Sequence, residues 1–391
     1  MSPNESIQPE FDHIQQRALV VGGVALVLCA VGYFLNPAQL LRSYLVAFLL
    51  WLAIALGCAA VLMLHHLVGG NWGFAIRRVL ESGARTVPLM ALLFVPLLLN
   101  LPRLYSWARP QEMAALALPP FKRLYLQTPF FVARAIAYFA AWILVAHFLN
   151  KWSLEQDRVG DPRSVDRLQY LSGPGLLVYG FMVTYAAVDW VMSLEPGFFS
   201  TIFGMIFMVL PALGAISFAV VVATLLAKQK PLSGLLTPLH FNDYGNLMLT
   251  FDMLWAYLAF DQFLIIWAGN LQDEIPWYTT RAAGGWAWVA LLLILFGFAV
   301  PFVLLLSRDV KRKMSFLAGV ALTLIVMEWV IFYWIVMPSF YPQGPHLTWT
   351  DLVAPIGIGG VWIAMFVSRL KANPLLPLRD PRFEGVSGYG K

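Results

Sequence analysis

The chain has 391 residues, 60% of them hydrophobic and 12% charged, where a soluble protein carries about 25% charged residues. Apolar runs long enough to cross a hydrocarbon core of about 30 Å recur throughout, and no polar stretch between them is long enough to fold as a soluble domain. The formal charge of +5 does not point to nucleic acid, because Lys and Arg gather in alternate loops between apolar runs, as membrane insertion requires.

In chain order, Met1 to Gln16 is polar and acidic, without a basic n-region or a small-residue cleavage site. No secretory signal is expected there, and the first helix serves as the membrane address. Ten spans are predicted, near 17–35, 43–67, 85–101, 128–150, 172–194, 201–227, 243–268, 281–306, 315–337 and 349–370. Pro96, Pro211, Pro301 and Pro355 fall inside spans, which membrane helices tolerate when neighbours satisfy the freed carbonyls. Cys29 and Cys58 each lie in an apolar run and outside any C-x-x-C pattern. Covalent haem is thereby excluded, and an iron–sulfur cluster held by this chain alone would need more thiolates.

Charge at membrane depth carries the functional signal, since even low estimates put a central charged side chain at about 3 kcal/mol. His65 and His66 close span 2, and His147 lies near the same end of span 4. Interfacial anchoring, proton exchange between ring nitrogens and b-type haem ligation are all open for them. The stretch Trp72 to Ser82 is amphipathic and is expected to lie along the inner membrane surface. The loop Pro102 to Gln127 carries Tyr105, Trp107, Phe121 and Tyr125, a composition suited to the interface or a docked partner.

Arg134 lies about 9 Å into span 4, and Asp189 about 8 Å before the end of span 5, at 1.5 Å per residue. Consecutive antiparallel helices therefore place them at one level, where a salt bridge and a proton- or quinone-linked role are compatible. Tyr185, one turn inward on the same face, is an expected neighbour of Asp189.

On span 7, Asp243, Asp252 and Asp261 recur every nine residues, which is about two and a half turns. Asp252 must then face away from the other two, so one wire of acids down a single face is excluded. Asp243 is expected to cap the helix start. Asp252 falls near mid-membrane. Asp261 and Glu328 fall in the outer half, where they are expected to share a water-filled pocket with Asp189. Buried carboxyls of this kind suit proton relays, provided that Asp189, Asp252 and Glu328 are not all sealed from aqueous or lipid-accessible space.

Nineteen Lys and Arg fall in the N-terminal tail, even-numbered loops and C-terminus, against six in the odd-numbered loops. The positive-inside rule then places both termini in the cytoplasm. A faint repeat is also visible: Asp189-Trp190-Val191-Met192 near the outer end of span 5 matches Glu328-Trp329-Val330-Ile331 in span 9. Two parallel four-helix units explain it. The expected division is a tail at 1–16, peripheral span 1 at 17–42, a first bundle at 43–199, a second at 200–338, and span 10 with its tail at 339–391. The fold class is thus all-α integral membrane. No G-x-G-x-x-G, Walker loop, H-E-x-x-H or G-x-S-x-G occurs, so redox chemistry is expected from another subunit or a lipid-soluble molecule, and no metal is expected in this chain.

The stretches Asp189 to Pro196, Phe199 to Gly204 and Ala259 to Tyr278 resemble the membrane subunits of bacterial alternative complex III, and Leu80 to Leu99 resembles its F-type subunits more narrowly. The resemblance implies an NrfD-like (polysulfide-reductase membrane-subunit) fold of two four-helix bundles in a bacterial plasma membrane. It further implies a complex that oxidises quinol, menaquinol among the candidates, and passes electrons through iron–sulfur and c-haem subunits to a periplasmic carrier. The implied partners are those subunits and a paralogous NrfD-like C-type subunit. Within such a complex this chain handles quinone or protons, or serves mainly as an anchor. Buried charges alone would also suit an ion or solute transporter.

Overall fold

The computed structural model describes residues 8–161, 163–229, 232–377 and 380. Among them there is no strand, and ten helices are long and apolar enough to cross a membrane. They are α1 (Gln8–Leu35), α2 (Pro37–Val68), α3 (Trp72–Leu98), α4 (Thr128–Val159), α5 (Arg163–Trp190), α6 (Phe203–Leu226), α7 (Pro238–Gly269), α8 (Trp286–Leu306), α9 (Met314–Val336) and α10 (Trp349–Lys371). The protein is a multi-pass, all-helical integral membrane protein.

Helix α2 is apolar on every side, and a helix with no polar face belongs inside. It is the most buried of the ten. It packs on α3 and α5, which in turn pack on α4, closing a ring of four helices; α6, α7, α8 and α9 close a second ring. The rings meet where α2 crosses α6. Gly57 permits that crossing, because a Cβ there would overlap the Pro211 carbonyl oxygen. Helices α1 and α10 pair through Gly22 and Gly360, and α10 also packs on α2, where the Trp51 indole donates to the Pro355 carbonyl. A Cβ on Gly22 would lie 2.8 Å from the Val361 nitrogen, so small residues set the close approach, as membrane helix pairs require. Lys371 Nζ lies 2.7 Å from Asp12 Oδ1, which fixes the start of α1 and the end of α10 on one face, here the terminal face.

Three local expectations change. Trp72 to Ser82 does not lie on a surface: it is the first part of α3, and Gly73 through Ala84 are all buried. Its polar side is covered by complementary charge from remote segments, described below. Helix α7 begins at Pro238, so Asp243 is not its cap; Thr237 and His240 form the capping box instead. Helix α1 begins at Gln8, within the segment expected as a tail; residues 1–7 lie outside the described residues.

Candidate functional site

Arg134 and Asp189 meet across α4 and α5. The guanidinium donates from Nε to Asp189 Oδ2 at 2.8 Å and from Nη2 to Oδ1 at 2.9 Å, a fork that matches carboxylate geometry. Tyr138, one turn along α4 from Arg134, donates its hydroxyl to Oδ2 at 2.7 Å. Tyr125 completes the nest: its carbonyl accepts from Arg134 Nη1 at 2.9 Å, and its ring lies 3.7 Å from the guanidinium carbon. Asp189 has no exposed surface. The expected pair is present, and its acid is fully hydrogen-bonded. Tyr185 is not part of it; its side chain is 48% exposed on the open side of α5. Tyr138 does what was expected of Tyr185, and its position four residues after Arg134 was the signal that could have found it.

Asp252 and Glu328 have the opposite character. Asp252 lies on the buried seam of α7 with Tyr244, Met248 and Trp255, while Asp243 and Asp261 are partly exposed, as the nine-residue spacing demands. Neither oxygen of Asp252 has a hydrogen-bond partner. Glu328 on α9 presses its carboxyl against Gly214 of α6, where a Cβ would collide with it. Both of its oxygens are also unpartnered. The shared pocket expected for Asp189, Asp261 and Glu328 does not form: Asp189 is enclosed between α4 and α5, Glu328 faces α6, and Asp261 remains partly exposed on α7. Asp189, Asp252 and Glu328 are each 2% exposed or less. All three are therefore sealed in this conformation, and the condition set for a proton relay, that they not all be closed to aqueous or lipid-accessible space, is not met by it.

His65 and His66 are wholly buried where α2 turns into α3. His65 has the rings of Trp72 and Phe74 edge-on, both at 5.1 Å, and Gly73 leaves it room. His147 is exposed on α4, so it forms no haem-ligating pair with either of them.

Two polar clusters were not anticipated. Near the terminal face, Arg77 donates to Glu81 at 2.9 Å, Asp380 at 2.8 Å, Ser153 at 2.8 Å and Gln156 at 2.9 Å. Arg78 bonds Glu81 and Asp157. At the far face, Arg281 donates to Glu195 at 2.8 Å and to the Ile335 carbonyl at 2.6 Å, and stacks on Trp277 at 3.8 Å. Burial pushes the Arg281 guanidinium below its ordinary range, an effect Glu195 opposes. Nearby, Gln262 links Ser200 to Tyr278 through bonds of 2.9 and 3.2 Å. Burial pushes the Tyr278 phenol up to about 12. Arg77, Arg78 and Glu81 sit in an amphipathic segment whose polar side looks solvated until its remote partners are known.

Two cavities matter. One of about 30 Å³ lies between the rings, lined by residues including Trp142, Trp190, Phe207, Pro211 and Phe332. The other, about 460 Å³, is an open cleft at the far face lined by residues including Trp107, Met113, Arg123, Gln127 and Thr128. No group of three or more His, Cys, Asp or Glu side chains suited to a metal ion occurs among the described residues.

No family model matches the chain, and no curated protein matches it. Fold and site together define a multi-span membrane protein that carries two unpaired carboxyls at membrane depth and, among the described residues, no metal-binding cluster.

Proposed function

We propose that this chain is a membrane subunit of a quinol:electron-carrier oxidoreductase of the alternative complex III type, contributing proton handling and quinone contact. The observation that carries this reading is the pair Asp252 and Glu328, buried with no partner for any of their four carboxyl oxygens. Groups so costly to bury mark proton relays and substrate paths in membrane proteins. The resemblance of Asp189 to Gly204 and Ala259 to Tyr278 supplies the redox context: electrons travel through iron–sulfur and c-haem partners, with both termini of this chain cytoplasmic. Because the carboxyls are sealed in this conformation, the proton reading requires internal water or a transient opening to reach them.

A quinone ring needs a pocket of about 300 Å³ or more with a few polar groups. The far-face cleft, at about 460 Å³, fits, whereas the interior cavity does not. Arg123, Gln127 and Thr128 would hold the headgroup there. Quinol oxidation would supply the electrons and protons, and this chain's own residues bind and orient the ring. The cleft adjoins Tyr125, whose carbonyl accepts from Arg134, so the ion pair braces its wall.

The anchor reading is favoured by Asp189, whose carboxylate is fully bonded. The variants Glu328→Gln and Asp252→Asn, made in the intact native assembly, decide between them. Proton handling predicts that quinol-dependent turnover or proton release falls roughly a hundredfold in the affected step while subunit content is unchanged. Wild-type turnover and proton release in both intact variants would leave only the anchor.

A further inference from the structure

The cavity between the two rings is walled mainly by apolar side chains, with two tryptophans among them. Trp142 on α4 and Trp190 at the end of α5 both border it, with ring centroids 6.0 Å apart and planes at 79°. They are 4% and 2% exposed, and neither indole N–H has a protein acceptor. Phe207 and Pro211, from α6, form the opposite wall. Pro211 lies within that helix and has no N–H to offer the carbonyl four residues back, which is that of Phe207. Two residues with unmet indole donors and one whose carbonyl lacks its helical N–H donor thus border a volume of about 30 Å³.

A water molecule needs about 10–15 Å³ of such space and typically makes about three hydrogen bonds to otherwise unsatisfied groups. We infer that this cavity is a hydration site for one or two water molecules, bound by the Trp142 and Trp190 indole N–H groups and the Phe207 carbonyl. The alternative, a dry cavity, leaves the two indole N–H groups unmet, each at about 1–3 kcal/mol. The site also bears on Glu328, although the hydration itself does not rest on proton handling. Phe332 lies four residues after Glu328 on α9, and Pro211 three before Gly214 on α6, so the cavity lies about one helical turn along both helices from the level of the carboxyl.

The test is X-ray radiolytic footprinting of the full-length protein in its native membrane assembly, which oxidises side chains beside bound internal water. Trp142 and Trp190 are expected to label several-fold faster than Trp286, which is equally buried but bonds the Tyr341 carbonyl. Labelling of both at the rate of Trp286 overturns the inference. The variant Ala187→Val, which fills the cavity from α5, is expected to abolish the excess labelling and leave Trp286 unchanged; persistence of the excess in a folded variant also overturns it. Should that variant not assemble, electron cryomicroscopy of the wild-type assembly at water-resolving resolution decides the same question, with density between the two indoles for the site and none against it. Glu328→Gln turnover is measured separately, so loss of the proton reading and loss of the water site are distinguishable.

Discussion

Asp189 and Glu328 occupy corresponding places in their acidic-Trp-Val motifs, yet one carboxyl is fully bonded and the other has no partner. The difference comes from the preceding helix: α4 supplies Arg134 and Tyr138, whereas α8, from Trp286 to Leu306, has no charged residue at all. Removing one member of a buried pair costs about 3–5 kcal/mol, while replacing both by apolar groups is often neutral. Arg134→Leu is therefore expected to destabilise the protein by about 3 kcal/mol or more, and Arg134→Leu with Asp189→Leu to recover most of that loss in reversible unfolding from mixed micelles. Equal losses in the single and double variants would contradict the pairing. The pair was legible in the sequence because depth in consecutive antiparallel helices follows from residue counting. Tyr185 was misplaced because i, i+4 spacing gives adjacency on a helix but not the side its neighbours cover. The buried stripe of α5 runs through Tyr179, Val183, Ala186 and Trp190, leaving Tyr185 outside.

At the scale of elements, ten spans were legible because each apolar run must cover the same hydrocarbon thickness. What failed was the polar side of α3. Its amphipathic pattern is real, but Arg77 and Arg78 find their partners at residues 153, 156, 157 and 380, and no local pattern announces partners so distant in sequence. The crossing of α2 on α6 was equally hidden, since Gly57 is one glycine in an apolar run until the Pro211 carbonyl is seen against it. A Cβ there has no space without separating the rings. Gly57→Ala is expected to cost about 1–3 kcal/mol through overpacking. Gly23→Ala on α1, where nothing lies within 4 Å of the new carbon, is expected to be neutral or to gain up to about 1 kcal/mol from helix propensity. Thermal unfolding of the two variants in the same detergent checks the ordering. The converse order would mean that the rings do not meet at Gly57.

Across the whole molecule, the chain returns to its beginning: Lys371 reaches Asp12, and Asp380, beyond α10, enters the cluster that joins α3 to α4. That cluster was illegible beforehand, because the segment after α10 reads as a polar tail with no reason to enter a membrane body. Its ion pairs predict which member matters most. The guanidiniums of Arg77 and Arg78 bond three carboxylates, Glu81, Asp157 and Asp380. Asp380→Ala removes the carboxylate bonded to Arg77 Nη1, at a cost of at least one charged hydrogen bond, about 1.5–3 kcal/mol. Arg77→Ala leaves three carboxylates with Arg78 as the one guanidinium bonded to them, strips Gln156 of its Arg77 donor and leaves Ser153 to Arg78, so about 3–5 kcal/mol is expected. The two should also fail differently. Loss of Asp380 frees the segment after α10, and limited proteolysis should cut there while both rings stay folded. Loss of Arg77 opens the contact between α3 and α4 itself, and resistance should fall throughout the first ring. Matching stability losses with identical cleavage patterns would mean that Asp380 holds the cluster together as much as Arg77 does, and that the segment after α10 is part of the first ring's core.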